Sequence, residues 1–85
     1  MDVAFTPQFK RQFKKLESDL QDEALDKIDL FANPKNHTAL KVHKLKGPLR
    51  NRYSFSVNYK VRIVFMYLTP PEAVLLAIGD HDIYK

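Results

Sequence analysis

The sequence contains no cysteine among its 85 residues. The chain therefore cannot form a disulfide bond, a thiolate-ligated zinc site or a cysteine nucleophile. Long apolar runs are also missing, because no segment is long enough to span a membrane. The N-terminal residues MDVAFTPQFKRQF lack the apolar core of a secretory signal peptide. These absences predict a cytoplasmic protein that does not associate with a membrane.

Acidic residues are absent from the interval between Asp29 and Glu72. Residues 1–33 carry five Lys and Arg against seven Asp and Glu, which gives a net charge of −2. Residues 34–85 carry nine against three, which gives +6. Positive charge concentrated on one part of a small protein is the electrostatic signature of a polyanionic partner. A solvated basic surface without a partner is the alternative interpretation.

The length and the hydrophobic pattern predict a single domain over residues 1–85. A hydrophobic content of 45% is ordinary for a globular protein, and a chain this short has no room for a second core. Residues 40–84 contain four apolar runs separated by turn residues, which predicts a twisted antiparallel sheet built as a meander. The segment Val3–Phe5 is predicted to be an edge strand.

Two amphipathic helices are predicted between Val3–Phe5 and the meander. Thr6 and Pro7 favour a helix start, because Thr caps free N–H groups and Pro fits the first turn. Ser18 and Gln21 match a capping box, which predicts a second helix from Ser18 to about Ala32. The apolar positions of the two helices are Phe9, Phe13 and Leu16, then Leu20, Ala24, Ile28 and Phe31 with Leu25 alongside. We expect an α+β fold of order β-α-α-β-β-β-β, with the helical hairpin packed on one face of the sheet.

The other face of the sheet is predicted to carry residues that could cleave RNA without a metal ion. RNA cleavage needs a base for the ribose 2′-OH, an acid for the departing 5′-oxygen, and cations for the charge on phosphorus. Imidazole suits either proton role, and a guanidinium matches two phosphate oxygens at once. DNA lacks the 2′-OH, so this chemistry would select RNA. The candidates are the cations Lys44, Lys46, Arg50, Arg52, Lys60 and Arg62, the histidines His43 and His81, and Tyr84.

Each of the main candidates also has a structural interpretation. His43 could be a surface histidine, and His81 could be a turn residue paired with a neighbouring aspartate. Arg62 could pair with a carboxylate of the C-terminal segment, and Tyr84 could cover the core. A metal site is disfavoured because the histidines and aspartates lack a recognised ligand spacing, and no cofactor is implied.

Three short segments resemble the RelE/ParE superfamily of bacterial type II toxins. Residues 43–47, HKLKG, are similar to the H-x-L-x-G motif of the YafQ-like branch. Residues 59–65, YKVRIVF, are similar to the Y-R-[LIV]-[LIV]-[YF] strand of RelE-type ribonucleases. Residues 78–84, IGDHDIY, are similar to the segment that carries a catalytic histidine in the YafQ-like branch and a tyrosine in RelE. The resemblance covers nearly the whole chain and implies the RelE-like fold.

The resemblance also implies a function and partners. The implied activity is metal-independent endoribonuclease cleavage of mRNA at the ribosomal A site, which inhibits translation, and the implied protein partner is a cognate antitoxin. In this assignment Arg62 holds the phosphate, His81 is the general acid, and His43 assists as base or orienting group. Tyr84 stacks on the substrate or orders it. The other cations would bind RNA.

The chain departs from both ribonuclease branches at four positions. Ser56 and Lys60 stand where the YafQ-like enzymes have a histidine and an aspartate. Tyr53 and Phe55 stand where RelE has paired lysines. The identity of the general base is therefore open. Two alternatives to the ribonuclease remain: a non-catalytic ParE-like toxin that inhibits DNA gyrase, and a degenerate toxin that only binds its antitoxin.

Overall fold

The structure, a computed structural model, describes residues 1–47, 51–69 and 72–80. These residues form two α-helices, a short 3-10 helix at Pro34–Asn36, and five strands. In chain order the main elements are β1 (Asp2–Phe5), α1 (Pro7–Lys14), α2 (Ser18–Phe31), β2 (His43–Lys44), β3 (Tyr53–Ser56), β4 (Arg62–Tyr67) and β5 (Glu72–Gly79). The predicted α+β order β-α-α-β-β-β-β is confirmed.

The five strands form one sheet in the order β1-β5-β4-β3-β2. Strands β2 to β5 pair with antiparallel neighbours, as the meander pattern predicted. Strand β1 is an edge strand, also as predicted, but it runs parallel to β5. The sheet is therefore mixed. All the other elements lie between β1 and β5 in the chain, and a connection longer than a hairpin is what a parallel pair requires.

Helix α1 begins as the sequence predicted, whereas the start of α2 differs. The Phe9 amide donates to Thr6 Oγ1 at 3.1 Å, so Thr6 caps α1. The N-cap of α2 is Glu17 and not Ser18, and it makes no side-chain cap hydrogen bond. Gln21 Nε2 instead donates to the carbonyl of Phe13 at 3.0 Å. The predicted capping box is therefore wrong, because the Gln21 side chain bonds to α1 and not to the start of its own helix. The last carbonyls of a helix lack partners within that helix, and Gln21 supplies one to Phe13.

The hydrophobic core lies between the helices and one face of the sheet. The side chains of Phe31, Phe55 and Phe65 are completely buried there. The ring of Phe31 stacks on that of Phe55 with a centroid distance of 4.4 Å and meets Phe65 edge-on at 4.6 Å. The predicted apolar stripes of both helices contribute to this core, but Leu25 remains about half exposed (49%).

Strand β2 is much shorter than the apolar alternation over residues 40–45 predicted. Lys41 has a φ of 59°, a left-handed conformation that is uncommon for residues other than glycine and that interrupts an extended chain. Leu40 is buried before this bend, and its carbonyl accepts a hydrogen bond from the amide of Ser56 at 2.9 Å. Only His43–Lys44 continue as a strand.

Candidate active site

The strand register places His43 and Arg62 on the sheet face opposite the helices. His43 pairs with Ser54 across β2 and β3, and Arg62 pairs with Ser56 across β3 and β4. The two serines alternate with Tyr53 and Phe55, which belong to the helix-side core, so they project to the opposite face. His43 and Arg62 lie two strands apart across the sheet and two residues apart along it. Their Cα atoms are therefore separated by roughly 12 Å. His43 and Arg62 therefore share one face of the sheet, on which Ser54, in the strand between them, is completely buried.

The ring of His43 is oriented by the backbone. Its Nδ1 lies 2.9 Å from the carbonyl oxygen of Lys41. A carbonyl only accepts hydrogen bonds, so in the neutral imidazole Nδ1 carries the proton and Nε2 carries the lone pair. Nε2 lies 3.5 Å from Ser54 Oγ, at the long limit of a hydrogen bond, and the residue is exposed to solvent. This tautomer can accept a proton at Nε2, and the left-handed bend at Lys41 supplies the carbonyl that selects it.

Arg62 lies on the predicted face, but its guanidinium turns away from His43. Nη1 donates to the carbonyl oxygens of Asn58 and Val61, both at the β3–β4 turn. The turn is held by Asn58, whose Oδ1 accepts from two backbone amides of the same turn. Rotation of the arginine side chain away from the turn would free Nη1 for a phosphate.

Arg52 is the second cation on the face opposite the helices. Its Nη1 donates to Met66 Sδ at 3.6 Å, and Met66 has the same strand parity as Arg62. Positive charge therefore extends from the β3–β4 turn toward the start of β3.

The remaining described cations do not all share this face. Lys44 pairs with Tyr53, a residue that packs against the core. Contrary to the prediction that all six cations lie together, Lys44 therefore projects to the helix side, because successive side chains of a strand point to opposite faces. Lys46 is exposed after β2, and Lys60 is exposed in the β3–β4 turn.

A cavity of about 290 Å³ adjoins Arg62, and sequence reasoning missed most of its residues. The described residues that line it are Lys27, Ala39, Leu40, Lys41, Ser56, Val57, Asn58, Tyr59 and Arg62. Tyr59 is 86% exposed at the β3–β4 turn. An aromatic residue between Asn58 and Lys60, in the loop of a hairpin, was the available sequence signal. Lys27 gave no sequence signal, because its position in α2 is that of an ordinary residue on the polar face of a helix.

No family model matches the sequence, and no curated protein matches it. Solved structures do match the fold over nearly its whole length. A chain of the E. coli DinJ-YafQ toxin-antitoxin complex aligns with a TM-score of 0.75 and 16% identity, covering 96% of this chain and 93% of that one. The Staphylococcus aureus YoeB-YefM complex gives 0.74 and 18%, covering 95% and 97%. The Mycobacterium tuberculosis RelBE2 toxin-antitoxin complex gives 0.72 and 16%, covering 94% and 96%.

The chain has the fold of the RelE/ParE toxins. TM-scores of 0.72–0.75 establish this fold, and identities of 16–18% establish nothing beyond it. One fold can carry several functions, so the function of the site must be argued from its own residues. In the RelE/ParE fold of this chain, the described part of the site consists of His43, Arg52 and Arg62 around Ser54 and Ser56.

Three predicted residues lie outside the described part of the chain. These are the general-acid candidate His81, the stacking candidate Tyr84 and the cation Arg50. Their assignments stay predictions.

The third histidine has a structural role in this RelE/ParE fold. The His37 ring stacks on Phe31 with a centroid distance of 4.9 Å, and its Nε2 lies 2.9 Å from the carbonyl oxygen of Phe31. Among the residues that the structure describes, no three His, Asp or Glu side chains are grouped as metal ligands. No helix within the described ranges is long and apolar enough to cross a membrane.

Proposed function

We propose that this protein is the toxin of a type II toxin-antitoxin system and that it cleaves mRNA without a metal ion. One observation carries the proposal: His43, whose ring is oriented by the Lys41 carbonyl so that Nε2 can accept a proton, shares a sheet face with Arg62. The ribonuclease is favoured over a gyrase inhibitor, because inhibition by binding alone has no need for an oriented proton acceptor.

In the proposed reaction the ribose 2′-oxygen attacks phosphorus while His43 Nε2 takes its proton. The bond from phosphorus to the 5′-oxygen breaks, which leaves a 2′,3′-cyclic phosphate and a 5′-hydroxyl end. His81 donates the proton to the 5′-oxygen. Arg62 leaves the Asn58 carbonyl and binds the charged phosphoryl oxygens with two donors, which is the stabilisation a pentavalent phosphorus needs.

The remaining predicted residues bind or order the substrate in this proposal. Tyr84 stacks on a base, and Arg50, Arg52, Lys46 and Lys60 neutralise the phosphates that flank the scissile bond. Lys44 projects to the other side of the sheet, so its contact with RNA would be made at the sheet edge. Cleavage takes place on translating ribosomes in the cytoplasm, in the A site.

The test is brief induction of the wild type and of Arg62→Gln in a bacterium, followed by primer extension on a reporter mRNA. We expect new 5′ ends inside the translated region with the wild type and few with Arg62→Gln. His43→Ala and His81→Ala should each lower cleavage by ~100–10,000-fold, the usual contribution of general acid–base catalysis.

The matched control is Arg11→Gln, which removes the same charge from an exposed position on α1. It should cleave like the wild type. Growth arrest without new mRNA ends, together with inhibited DNA supercoiling, would establish the gyrase alternative. Absence of arrest and of cleavage would identify a degenerate toxin.

An apolar groove on the helical side is the surface that we assign to the antitoxin. The groove has a volume of about 240 Å³, and the described residues that line it are Phe5, Phe9, Lys10, Phe13, Lys14, Leu25 and Ile28. Phe5 and Leu25 are 41% and 49% exposed. The α1 wall carries Lys10 and Lys14, whereas α2 carries exposed acidic residues. The occupant is therefore an amphipathic segment whose carboxylates face α1.

Leu25→Asp tests this assignment, because it places a carboxylate in the groove without altering a buried residue. Co-expression with the open reading frame adjacent to the toxin gene should no longer rescue growth, and co-purification of the two proteins should be lost. Asp26→Ala, at the neighbouring exposed position, is the control. Retained rescue by Leu25→Asp would place the antitoxin elsewhere.

A further inference from the structure

The cavity beside Arg62 combines the two features by which proteins hold single-stranded RNA. Cationic residues come from three elements: Lys27 from α2, Lys41 from the bend before β2, and Arg62 from β4. The exposed ring of Tyr59 stands at the β3–β4 turn. Proteins bind single strands with cations along the phosphates and aromatic rings under the bases.

We propose that this cavity is a nucleotide subsite of the RNA-binding face. The phosphate lies beside Lys27 and Lys41, and the base stacks on Tyr59. Arg62 forms the wall that the subsite shares with the proposed active site. The proposal rests on the proposed ribonuclease function and adds the residues that position the strand next to the scissile bond.

The size and composition of the cavity favour a nucleotide over a larger occupant. Its volume of about 290 Å³ lies just below the ~300–1,000 Å³ that is typical of small-ligand pockets. The polar groups Ser56 and Asn58 lie among its lining residues. One carboxylate is close, since Asn58 Nδ2 donates to Glu23 Oε1 at 2.9 Å. The carboxylate keeps its negative charge in that hydrogen bond, but it is outnumbered by the three cationic residues of the lining, Lys27, Lys41 and Arg62.

Lys41 connects this subsite with His43. The same residue lines the cavity and presents its carbonyl to His43 Nδ1. A nucleotide bound in the cavity is therefore next to the imidazole that we assign as base. A strand entering at Tyr59 and passing Arg62 would bring its next phosphodiester toward His43.

The test is titration of the purified protein with adenosine 5′-monophosphate, followed by the backbone amide signals in NMR spectra. Inorganic phosphate and adenosine serve as comparison ligands. We expect the amides of Lys41, Tyr59 and Val61 to shift together, and the nucleotide to bind more tightly than phosphate. Tyr59→Ala should weaken nucleotide binding about fivefold or more, since a stacked base contributes ~1–3 kcal/mol, and should leave phosphate binding unchanged. Lys41→Gln should weaken both.

Lys15→Gln, an exposed position at the end of α1, is the matched control and should bind like the wild type. Equal affinities for nucleotide and phosphate, or shifts confined to other surfaces, would overturn the subsite. Binding at the cavity in a protein that does not cleave mRNA would retain the subsite and reject the ribonuclease. If Tyr59→Ala cleaves mRNA like the wild type and no nucleotide binds at the cavity, the ribonuclease is retained and the subsite is rejected.

Discussion

Phe31 is the side chain through which α2 enters the aromatic core. It contacts the rings of Phe55, Phe65 and His37 and is completely buried. Phe31→Ala should lower the free energy of unfolding by about 3–5 kcal/mol, because it removes this apolar surface and leaves a cavity. Urea denaturation followed by circular dichroism measures the change.

Leu30→Ala is the control for this prediction. Leu30 precedes Phe31 in α2 but is 44% exposed, so its truncation should change the free energy of unfolding by less than about 1 kcal/mol. Equal losses in the two variants would show that α2 contributes through helix stability and not through the aromatic cluster.

Tyr67 gives the fold a dependence on alkaline pH. Burial, and secondly the nearby Tyr53, raise the pKa of the Tyr67 hydroxyl above its ordinary value of 10.0. The folded state therefore holds this proton more tightly than the unfolded state. The stabilisation is complete below the unfolded pKa and is lost as the pH rises through the higher folded pKa. As the pH rises above 10.0, the free energy of unfolding should fall more steeply in the wild type than in Tyr67→Phe. The same pH dependence of the free energy of unfolding in the two proteins would contradict the raised pKa of Tyr67.

At the scale of elements, the β3–β4 turn depends on one side chain. Asn58 Oδ1 accepts from the amides of Lys60 and Val61 at 2.8 Å each, and its Nδ2 donates to Glu23 in α2 at 2.9 Å. Asn58→Ala should lower the free energy of unfolding by about 1–3 kcal/mol, since it leaves two amides without their acceptor. Chemical denaturation at neutral pH measures it.

Asn58→Asp separates the two roles of this side chain. It keeps the oxygen that accepts from the turn amides but replaces the donor to Glu23 with a second carboxylate. Its stability should lie between those of the wild type and Asn58→Ala at neutral pH. Protonation of the introduced carboxyl group at low pH should remove the repulsion and bring the variant closer to the wild type. A loss equal to that of Asn58→Ala at both pH values would show that only the Glu23 contact matters.

The two helix starts show what local sequence could and could not predict. Thr6 and Pro7 predicted α1 correctly, because the cap hydrogen bond to Phe9 forms within one turn of the helix. Ser18 and Gln21 failed, because Gln21 reaches a carbonyl of the neighbouring helix. A capping box is a local motif, so it can be lost when a tertiary partner competes for one of its side chains.

For the whole molecule, the charge asymmetry predicts salt-dependent binding to single-stranded RNA. The logarithm of the affinity should fall linearly with the logarithm of salt concentration, with a slope of about −0.7 for each phosphate neutralised. Arg52→Gln, on the face opposite the helices, should make the slope less steep by about 0.7. Lys15→Gln should leave it unchanged. Fluorescence anisotropy of a labelled oligoribonucleotide measures the slopes, and equal changes in both variants would mean that binding is not confined to this face.

The sequence by itself determined the elements and the character of the two faces. Apolar residues at helical or alternating spacing specify which side of each element is buried, and this depends only on the geometry of the chain. The acid-free interval between Asp29 and Glu72 likewise marked the sheet half as basic.

Only the tertiary structure decided which of these residues lie together. The pairing of β2, β3 and β4 brought His43 and Arg62 to one face and sent Lys44 to the other. The bend at Lys41 oriented the His43 ring, and the packing of α2 beside the β3–β4 turn brought Lys27 to the cavity. These arrangements depend on contacts between residues far apart in the chain, which no local pattern specifies.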